Sequence, residues 1–296
     1  MAPSRERQPV TMLPEYSRRR QDRARGGENF PIAAWLLRPG RREARAAIYG
    51  FCRLVDDLGD EQLGDPQTLL ELAQEELASC YSGRPRHPIF QRLQPVIQRF
   101  QLDSDPFQRL IRANLQDQLI TRYRSWDELD QYCSLSATPV GELVLALEGI
   151  GDRERLGLSD SICTGLQLAN MWQDVAPDRE RGRRYLPLEV LEQHGSSDQE
   201  WWSGTVTPGM LAAQAHAVGR ARRLLVDGWP LVAQVPGLMR VEMATFILCG
   251  LAAAAAALEA GPRAFSERAA LAPAQRRRAI RQAAWAWRRP GPPRAS

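Results

Sequence analysis

The chain has 296 residues, 44% of them hydrophobic, which is enough apolar material for one large core. Its net charge of +4 arises from 39 basic and 35 acidic residues spread along the chain without a compact basic patch, so a nucleic-acid partner is not expected. All 39 basic residues are arginine, and the absence of lysine excludes a Walker-type phosphate loop, a Schiff-base mechanism and a lysine general base.

The N-terminal 25 residues are rich in arginine and proline and contain no apolar stretch, which predicts a disordered basic tail and not a signal peptide. Residues 26–287 are predicted to form one all-α domain around a central cavity, followed by a flexible tail over 288–296. Helical periodicity dominates the sequence, while strand-like alternation bounded by turn residues is nearly absent.

The first candidate site is the acidic run Asp56-Asp57-Leu58-Gly59-Asp60, which lies in an apolar, helix-like segment. Residues four apart share one side of a helix, so Asp56 pairs with Asp60 while Asp57 points elsewhere, and Tyr49 and Arg53 extend this stripe. Paired carboxylates repel each other unless cations compensate, and Mg²⁺ is the ion that such hard oxygen ligands suit. A single pair of this kind is most often a solvated helix face.

The following segments alternate between helices and breaks. Apolar spacing predicts amphipathic helices at residues 69–77 and 110–120, and breakers are predicted at 83–85, 103–106 and 195–198. Pro139 lies in an apolar stretch beside the small residues Ser136, Ala137 and Gly141, which predicts a helix break and a close approach of neighbouring backbone.

The second candidate site is Asp174-Val175-Ala176-Pro177-Asp178, preceded on the same helical face by Gln167 and Asn170. Two such clusters in one chain are much less expected by accident than one. Two polar stripes opposed across an apolar interior would place carboxylates on both walls of a cavity, with Arg53 at the side. This arrangement suits a metal-bound diphosphate.

The last third of the chain contains an apolar run from Met243 to Leu258, about sixteen residues, which is below the roughly twenty needed to span a bilayer and predicts a buried helix. Arginines at 276–278 with Trp285 and Trp287 are typical of peripheral membrane segments, and equally of a solvated basic helix. The three histidines lack zinc-hydrolase spacing. Five cysteines without CxxC spacing favour reduced thiols and a cytoplasmic location.

The two acidic motifs resemble those of the squalene and phytoene synthases. The resemblance is carried by Ala47-Ile48-Tyr49-Gly50-Phe51-Cys52-Arg53-Leu54-Val55-Asp56-Asp57, by residues 167–174 and by Gly182-Arg183-Arg184-Tyr185-Leu186-Pro187, and it spans roughly residues 25 to 190. It is nearest to the bacterial hydroxysqualene synthase branch, because of residues 28–31 and the segment 121–141.

The resemblance implies ionisation of presqualene diphosphate, release of pyrophosphate, and capture of the rearranged carbocation by water to give hydroxysqualene. It implies Mg²⁺, with Mn²⁺ as a substitute, and no NADPH requirement. A presqualene diphosphate synthase and a downstream reductase would be partners, and the location would be the cytoplasm, including the inner face of its membrane. The implied metal ligands are Asp56, Asp60, Asn170, Asp174 and Asp178.

The remaining implied site residues bind the substrate. Arg53, Tyr49, Gln167, Asn170 and Tyr185 would hold the diphosphate, with Arg53 and Tyr49 also catalytic together with Asp56, Asp60, Asp174 and Asp178. Phe30 and Tyr132 would contact the hydrocarbon, and Tyr132, Ser136 and Ala137 are the candidates for positioning the water. The apolar lining is expected from Phe30, Phe51, Leu54, Val140, Leu143, Val144 and Leu166.

Two alternatives remain open from the sequence. One is a head-to-head prenyl transferase that makes presqualene diphosphate, squalene or phytoene, and the other is a non-catalytic scaffold or assembly protein of the same fold. The chain also departs from the family. Gly59 replaces the usual alanine or isoleucine and weakens the helix by roughly 1 kcal/mol, Phe246 occupies the neighbourhood of a usual tyrosine, and the downstream arginine is either Arg263 or Arg268.

Overall fold

A computed structural model of the chain describes Leu13, residues 39–60 and residues 64–286. The regular structure of these residues is helical, which confirms the all-α prediction. The α-helices are α1 (Pro39–Asp60), α2 (Pro66–Ser82), α3 (Pro88–Phe100), α4 (Asp105–Gln116), α5 (Trp126–Ser136), α6 (Thr138–Ala146), α7 (Arg153–Gln173), α8 (Val175–Glu180), α9 (Leu188–Gln193), α10 (Asp198–Trp202), α11 (Pro208–Asp227), α12 (Leu231–Gln234), α13 (Met239–Ala260) and α14 (Pro273–Ala286). A 3₁₀-helix, Gly261–Phe265, follows α13.

Local sequence explains where these helices begin. Side chains of Asp65, Ser125, Asp152 and Thr207 each accept a hydrogen bond from a backbone N–H of the first turn that follows, which satisfies a donor without a partner inside the helix. Proline occupies the first turn of α2, α3 and α11, where its missing N–H costs nothing. The predicted breaks at 83–85, 103–106 and 195–198 lie at helix boundaries.

Helix α4 links the two halves of the molecule. Helix α1 packs against α2, α3 and α4, whereas α7 packs against α6, α11 and α13, and these two long helices do not pack side by side. Helix α4 contacts α1 on one side and both α5 and α6 on the other. The α4–α6 helices therefore contact both of the long helices that carry the candidate acidic stripes.

Buried ion pairs connect α1 to later parts of the chain. Arg45 pairs with Glu242 of α13, and the two side chains are 6% and 5% exposed. One turn earlier, Arg41 pairs with Glu148, which follows α6. Arg41 is 35% exposed, so the burial argument applies to Arg45 and Glu242: an isolated buried charge is strongly unfavourable, and this pair favours the correct placement of α1 against α13.

Helix α13 is the predicted buried apolar helix. The segment Met239–Phe265 is long and apolar enough to cross a membrane by length and composition, but 67% of its most apolar stretch is buried inside the protein, as in a core helix. Helix α14 packs on α13 and buries Ala279 and Ala283, while Arg277 and Trp285 are exposed on its outer side.

The predicted helix at 110–120 is wrong at its C-terminal end. Helix α4 stops at Gln116, and Leu119 is 84% exposed instead of buried. The helix ends because the chain turns to place residues 121–123 beside Arg184, with Arg184 N–H donating to Thr121 O at 2.7 Å. Long-range pairing therefore overrides the local apolar pattern.

Two of the histidines that look scattered in the sequence lie together. His194, at the end of α9, contacts His216 of α11 through Nε2 and Nδ1 at 3.0 Å. Burial lowers the pKa of His216, and the charges of His194 and two neighbouring arginines lower it further. The pair joins α9 to α11, and the lowered pKa favours the neutral form of His216.

Candidate functional site

The first acidic face lies on the last two turns of α1. Asp56 is exposed, and its Oδ1 accepts a hydrogen bond from Asn114 Nδ2 of α4 at 3.3 Å. Asp57 is buried on the other side of the helix and pairs with Arg53 Nη2 at 2.5 Å. Asp60 is the last residue of α1 and lies four positions after Asp56, so the two residues belong to the same helical face. The side chain of Asp60 lies outside the described part of the structure.

Asp57 therefore has a role that the sequence pattern did not indicate. Its carboxylate is 2% exposed and lies against the guanidinium of Arg53, which is itself about one-third exposed. The pair fixes Arg53 on the edge of the acidic face while leaving part of its guanidinium accessible. We interpret Asp57 as a residue that orients Arg53.

Gly59 permits the close contact between α1 and α4. A Cβ atom at this position would lie 2.6 Å from Asn114 Oδ1 and 3.3 Å from Asn114 Cβ. Gln118 Nε2 also donates to Gly59 O at 3.1 Å. The expectation that this glycine merely loosens the helix is thus incomplete, because it also creates the space in which Asn114 reaches Asp56.

The second acidic face continues across the junction of α7 and α8. Gln167, Asn170, Asp174 and Asp178 are all half-buried. The backbone bonds Asp174 N–H to Asn170 O at 3.0 Å and Asp178 N–H to Asp174 O at 2.9 Å preserve the helical spacing through the junction. The predicted stripe therefore exists although the helix is interrupted at Asp174.

Arg268 lies directly on this second face. Its Nε is 2.5 Å from Asp174 Oδ1 and its Nη2 is 3.3 Å from Asp174 Oδ2, a two-point contact between guanidinium and carboxylate. Arg263, the other sequence candidate, instead pairs with Glu267 at 3.6 Å on the surface, where both side chains are well exposed. The structure thus selects Arg268 of the two arginines.

Three tyrosines form a cluster beside the C-terminal end of α4. The rings of Tyr123 and Tyr185 stack with centroids 5.7 Å apart, and that of Tyr132 is 5.5 Å from Tyr123 and 5.9 Å from Tyr185. Tyr132 donates its phenolic proton to Asp117 Oδ2 at 2.8 Å. Burial, followed by the charge of Asp117, raises the pKa of each of the three phenols, so all three are neutral at physiological pH.

The C-terminal end of α4 connects the two acidic faces. Asn114 contacts Asp56, and three residues later Asp117 accepts from Tyr132. Tyr185 in turn lies close enough to Asp117 and Asp178 for both negative charges to raise its pKa. A continuous polar and aromatic path therefore leads from Asp56 to Asp178. Asn114 and Asp117 were not predicted as site residues, although their i, i+3 spacing at the end of an amphipathic helix was the available signal.

The residues predicted as the apolar lining differ in burial. Phe51 is wrong as a lining residue, because it is fully buried in the core and makes edge contacts with Phe90 and Phe107. Leu54 and Leu143 are also buried in the core around α1, whereas Val140, Val144 and Leu166 are half-buried. Phe30 lies outside the described residues.

The predicted helix break is confirmed. Helix α5 ends at Ser136, Ala137 adopts a non-helical conformation, and Pro139 lies in the first turn of α6. A Cβ atom at Gly141 would collide with Ser159 Oγ and Cys163 Sγ, so glycine is needed for the close contact between α6 and α7.

A groove of about 600 Å³ lies between α1 and α3, on a different face of α1. Its lining includes Tyr49, Glu43, Arg92 and Arg99, but neither Arg53 nor Asp56. Tyr49 is thus shared between the groove and the acidic stripe, and the groove itself is separate from the acidic faces.

The donor set fits a divalent cation that takes part of its coordination from a substrate. Among the side chains that the structure describes, no group of three histidine, cysteine, aspartate or glutamate residues forms a preformed metal cage. Each face offers carboxylate oxygens, with the Asn170 amide beside Asp174. Mg²⁺ commonly binds through one or two carboxylates and completes its sphere with water and phosphate, so Asp56 with Asp60, and Asn170 with Asp174 and Asp178, are suitable groups.

Comparisons with known proteins agree with this fold. The squalene/phytoene synthase family model matches residues 23–281. Hydroxysqualene synthase from Rhodopseudomonas palustris is 34% identical over 217 residues, which cover 70% of this chain and 71% of that protein. Phytoene synthase from Arthrospira platensis is 31% identical over 232 residues, which cover 73% and 75% of the two chains.

Solved structures show the same similarity. Squalene synthase HpnC from Alicyclobacillus acidocaldarius has a TM-score of 0.74 and 38% identity, and the match covers 81% of this chain and 92% of that chain. A dehydrosqualene synthase with a TM-score of 0.75 is only 18% identical and supports the fold alone.

An all-α fold with these relatives defines an isoprenoid synthase, which is an enzyme class. The chain belongs to the squalene/phytoene synthase family, whose members act on prenyl diphosphates and generally depend on a divalent metal. The scaffold alternative is therefore set aside.

Proposed function

We propose that this enzyme ionises presqualene diphosphate in the presence of Mg²⁺ and captures the rearranged carbocation with water to give hydroxysqualene. The observation that carries the proposal is the connection of two acidic faces through Asn114, Asp117 and the tyrosine cluster, with Arg268 on the second face. The hydroxysqualene synthase from Rhodopseudomonas palustris supports this choice by the extent of the match: at the same 34% identity, the match covers 71% of that protein but only 48% of a phytoene synthase from Zea mays.

The arginines and amides have separate tasks in leaving-group departure. Negative charge accumulates on pyrophosphate as the carbon–oxygen bond breaks, and fixed donors that face it stabilise the transition state. Arg53, held by Asp57, and Arg268, held at Asp174, each supply guanidinium donors, one at each acidic face. Asn170 and Gln167 can orient water or diphosphate oxygens, and Tyr49 can donate to the leaving group. Bound Mg²⁺ would neutralise the developing charge.

The tyrosine cluster protects the cation. A phenolate would be a competing nucleophile, but Tyr132, Tyr185 and Tyr123 are kept protonated by burial and by Asp117. The half-buried ring of Tyr185 can offer the cation a negatively polarised face without forming a bond to it, while the buried rings of Tyr123 and Tyr132 pack against Tyr185. The cluster can therefore stabilise the intermediate while it rearranges.

Ser136 is the hydroxyl that we propose for holding the attacking water. It lies one helical turn after Tyr132 on the same face of α5, at the break before α6. Two neighbouring hydroxyls are occupied, since Ser134 donates to Gln131 O at 2.6 Å and Thr138 donates to Ser134 O at 3.1 Å. Ser136 Oγ is buried and has no hydrogen-bond partner among the described residues, so it can bind a water.

The alternative within the family is head-to-head condensation of two prenyl diphosphates, because both reactions need the same diphosphate-binding faces. The deciding experiment is product analysis of the purified enzyme with Mg²⁺, with presqualene diphosphate in one reaction and farnesyl diphosphate in the other, without reductant or a second enzyme. Hydroxysqualene from the first reaction alone supports the proposal. Presqualene diphosphate accumulating from the second would overturn it in favour of the condensing activity.

The water assignment has its own matched pair of variants. Ser136→Ala should reduce the fraction of alcohol among the products made from presqualene diphosphate, while diphosphate release continues. Ser134→Ala removes a nearby hydroxyl that is already bonded to Gln131 and should leave the product ratio unchanged. An unchanged ratio in Ser136→Ala would reject Ser136 as the group that holds the water.

A further inference from the structure

Gln173 forms a two-point clamp on a segment that follows the 3₁₀-helix. Its side chain is fully buried, and its Nε2 donates to Ala269 O at 2.7 Å. Its own carbonyl oxygen accepts from Ala269 N–H at 2.9 Å. Both backbone polar groups of Ala269 are therefore held by one residue, 96 positions earlier in the chain.

The clamp depends on a proline. In a continuous helix the carbonyl of Gln173 would accept from the N–H of residue 177, but Pro177 has no N–H. The carbonyl is thus available to Ala269, and the interruption between α7 and α8 creates an acceptor for a distant segment. The second acidic face and the clamp arise from the same local sequence.

Arg268 is the immediate neighbour of the clamped residue. Two consecutive residues of one segment contact two consecutive residues of the other. Gln173 contacts Ala269, and Asp174 contacts Arg268 through Nε at 2.5 Å and Nη2 at 3.3 Å. Residues 266–272 form neither helix nor strand, so no regular structure fixes the direction of the Arg268 side chain. Arg179 Nη1 holds the start of this segment by donating to Phe265 O at 3.0 Å, which leaves the part near Arg268 to Gln173.

We propose that Gln173 is a positioning residue for the diphosphate: its clamp on Ala269 holds Arg268 at the second acidic face, where the guanidinium meets the leaving group. This inference rests on the proposed role of Arg268 and adds a residue that itself contacts no substrate. Nε and Nη2 of Arg268 face Asp174, so Nη1 is the nitrogen directed away from the carboxylate and available to a phosphate oxygen.

The test uses Gln173→Met, which preserves side-chain size but removes the donor to Ala269 O. Leaving a buried carbonyl unsatisfied should weaken the binding of inorganic pyrophosphate with Mg²⁺, measured by calorimetry, by about tenfold. Hydrogen exchange over residues 266–272 should accelerate at the same time. The value of kcat/KM for presqualene diphosphate should fall by a similar factor.

Gln214→Met is the matched control. Gln214, on α11, is also buried, and its Nε2 donates to a backbone carbonyl, Ala257 O at 3.4 Å, which belongs to α13 and not to the segment 266–272. Because Gln214 does not hold residues 266–272, its replacement should lower thermal stability as Gln173→Met does and change pyrophosphate affinity less than about twofold. Equal losses of affinity in the two variants would show a general structural effect and overturn the inference.

Two further variants separate the possible failures. Arg268→Ala should weaken pyrophosphate binding, and adding Gln173→Met to it should cause little further loss, because the clamp acts through Arg268. If Arg268→Ala binds pyrophosphate normally, the proposed role of Arg268 is wrong. If only Gln173→Met binds normally, the role of Arg268 stands and the clamp is rejected.

Pro177→Ala perturbs the other half of the clamp without changing a buried amide. The new N–H of residue 177 competes with Ala269 for the backbone carbonyl of Gln173, so pyrophosphate binding should weaken by about two- to fivefold. Alanine is itself compatible with a helix, so the substitution should not unfold α8. Unchanged binding and unchanged exchange of residues 266–272 would contradict the clamp even if Gln173→Met failed to fold.

Discussion

Substitution of Gly59 by alanine tests whether packing or helix propensity dominates at the first acidic face. Alanine in a helix interior is favoured over glycine by roughly 0.8–1.0 kcal/mol. Against this, the new Cβ would lie 2.6 Å from Asn114 Oδ1 and 3.3 Å from Asn114 Cβ. Overpacking of this kind typically costs about 1–3 kcal/mol. We expect the clash to win, with a net loss of about 1 kcal/mol.

The loss should appear in thermal unfolding as a decrease in Tm of about 2–4 °C. Gly157→Ala is the matched control, because Gly157 is an exposed glycine inside α7 whose added Cβ would meet nothing within 4 Å. That variant shows the propensity effect alone and should raise Tm by about 2 °C. The Gly59→Ala variant should also lose activity, because a displaced Asn114 no longer reaches Asp56.

A double-mutant cycle identifies the cause. Removing the Asn114 side chain in the Gly59→Ala background eliminates the clash, so the two substitutions should couple by about 1 kcal/mol or more in the direction of recovered stability. If Gly59→Ala raises Tm as much as Gly157→Ala does, the close contact of α1 with α4 is not as the structure describes and the argument fails.

Three other results are expected. Asp56→Ala or Asp174→Ala should reduce turnover by about a hundredfold or more with helical circular dichroism unchanged, because each removes charge-binding oxygen from one face; wild-type turnover in either would reject the two-face arrangement. The pKa of His216 is lower in the folded protein than its ordinary value near 6.5, so just below that pH the unfolded chain binds more protons than the folded one. The free energy of unfolding should therefore fall as the pH decreases through about 6.5. His216→Gln should flatten this part of the Tm profile, and a profile equal to that of the wild type would exclude the pair with His194 as its source. Removing residues 284–296 should reduce co-sedimentation with anionic liposomes if the exposed basic and aromatic side of α14 binds membranes, and undiminished co-sedimentation would remove that role.

The sequence was sufficient for features that depend on helical periodicity. The stripes of Asp56 with Asp60 and of Asn170 with Asp174 and Asp178 follow from the 3.6-residue repeat, which fixes shared faces before any tertiary contact is known. The break at Pro139 is equally local, because proline removes a donor from its own helix.

Other features depend on contacts between distant segments and leave no periodic signal. Asn114 reaches Asp56 across 58 positions, and Gln173 reaches Ala269 across 96. The surroundings of Phe51 also depend on distant segments and could not be predicted from the helical pattern. Its position on an apolar helix did not reveal whether it would face a cavity or the rings of Phe90 and Phe107.

The ion pair between Arg45 and Glu242 constrains when α1 can complete its packing during synthesis. The two residues are 197 positions apart. At typical rates of translation, Glu242 is added roughly 10–40 s after Arg45. Throughout that interval Arg45 of α1 has no partner carboxylate. Its burial against α13 can therefore be completed only after Glu242 has been added. A chain that terminates before α13 would therefore contain every described contact of the first acidic face but leave Arg45 without its partner.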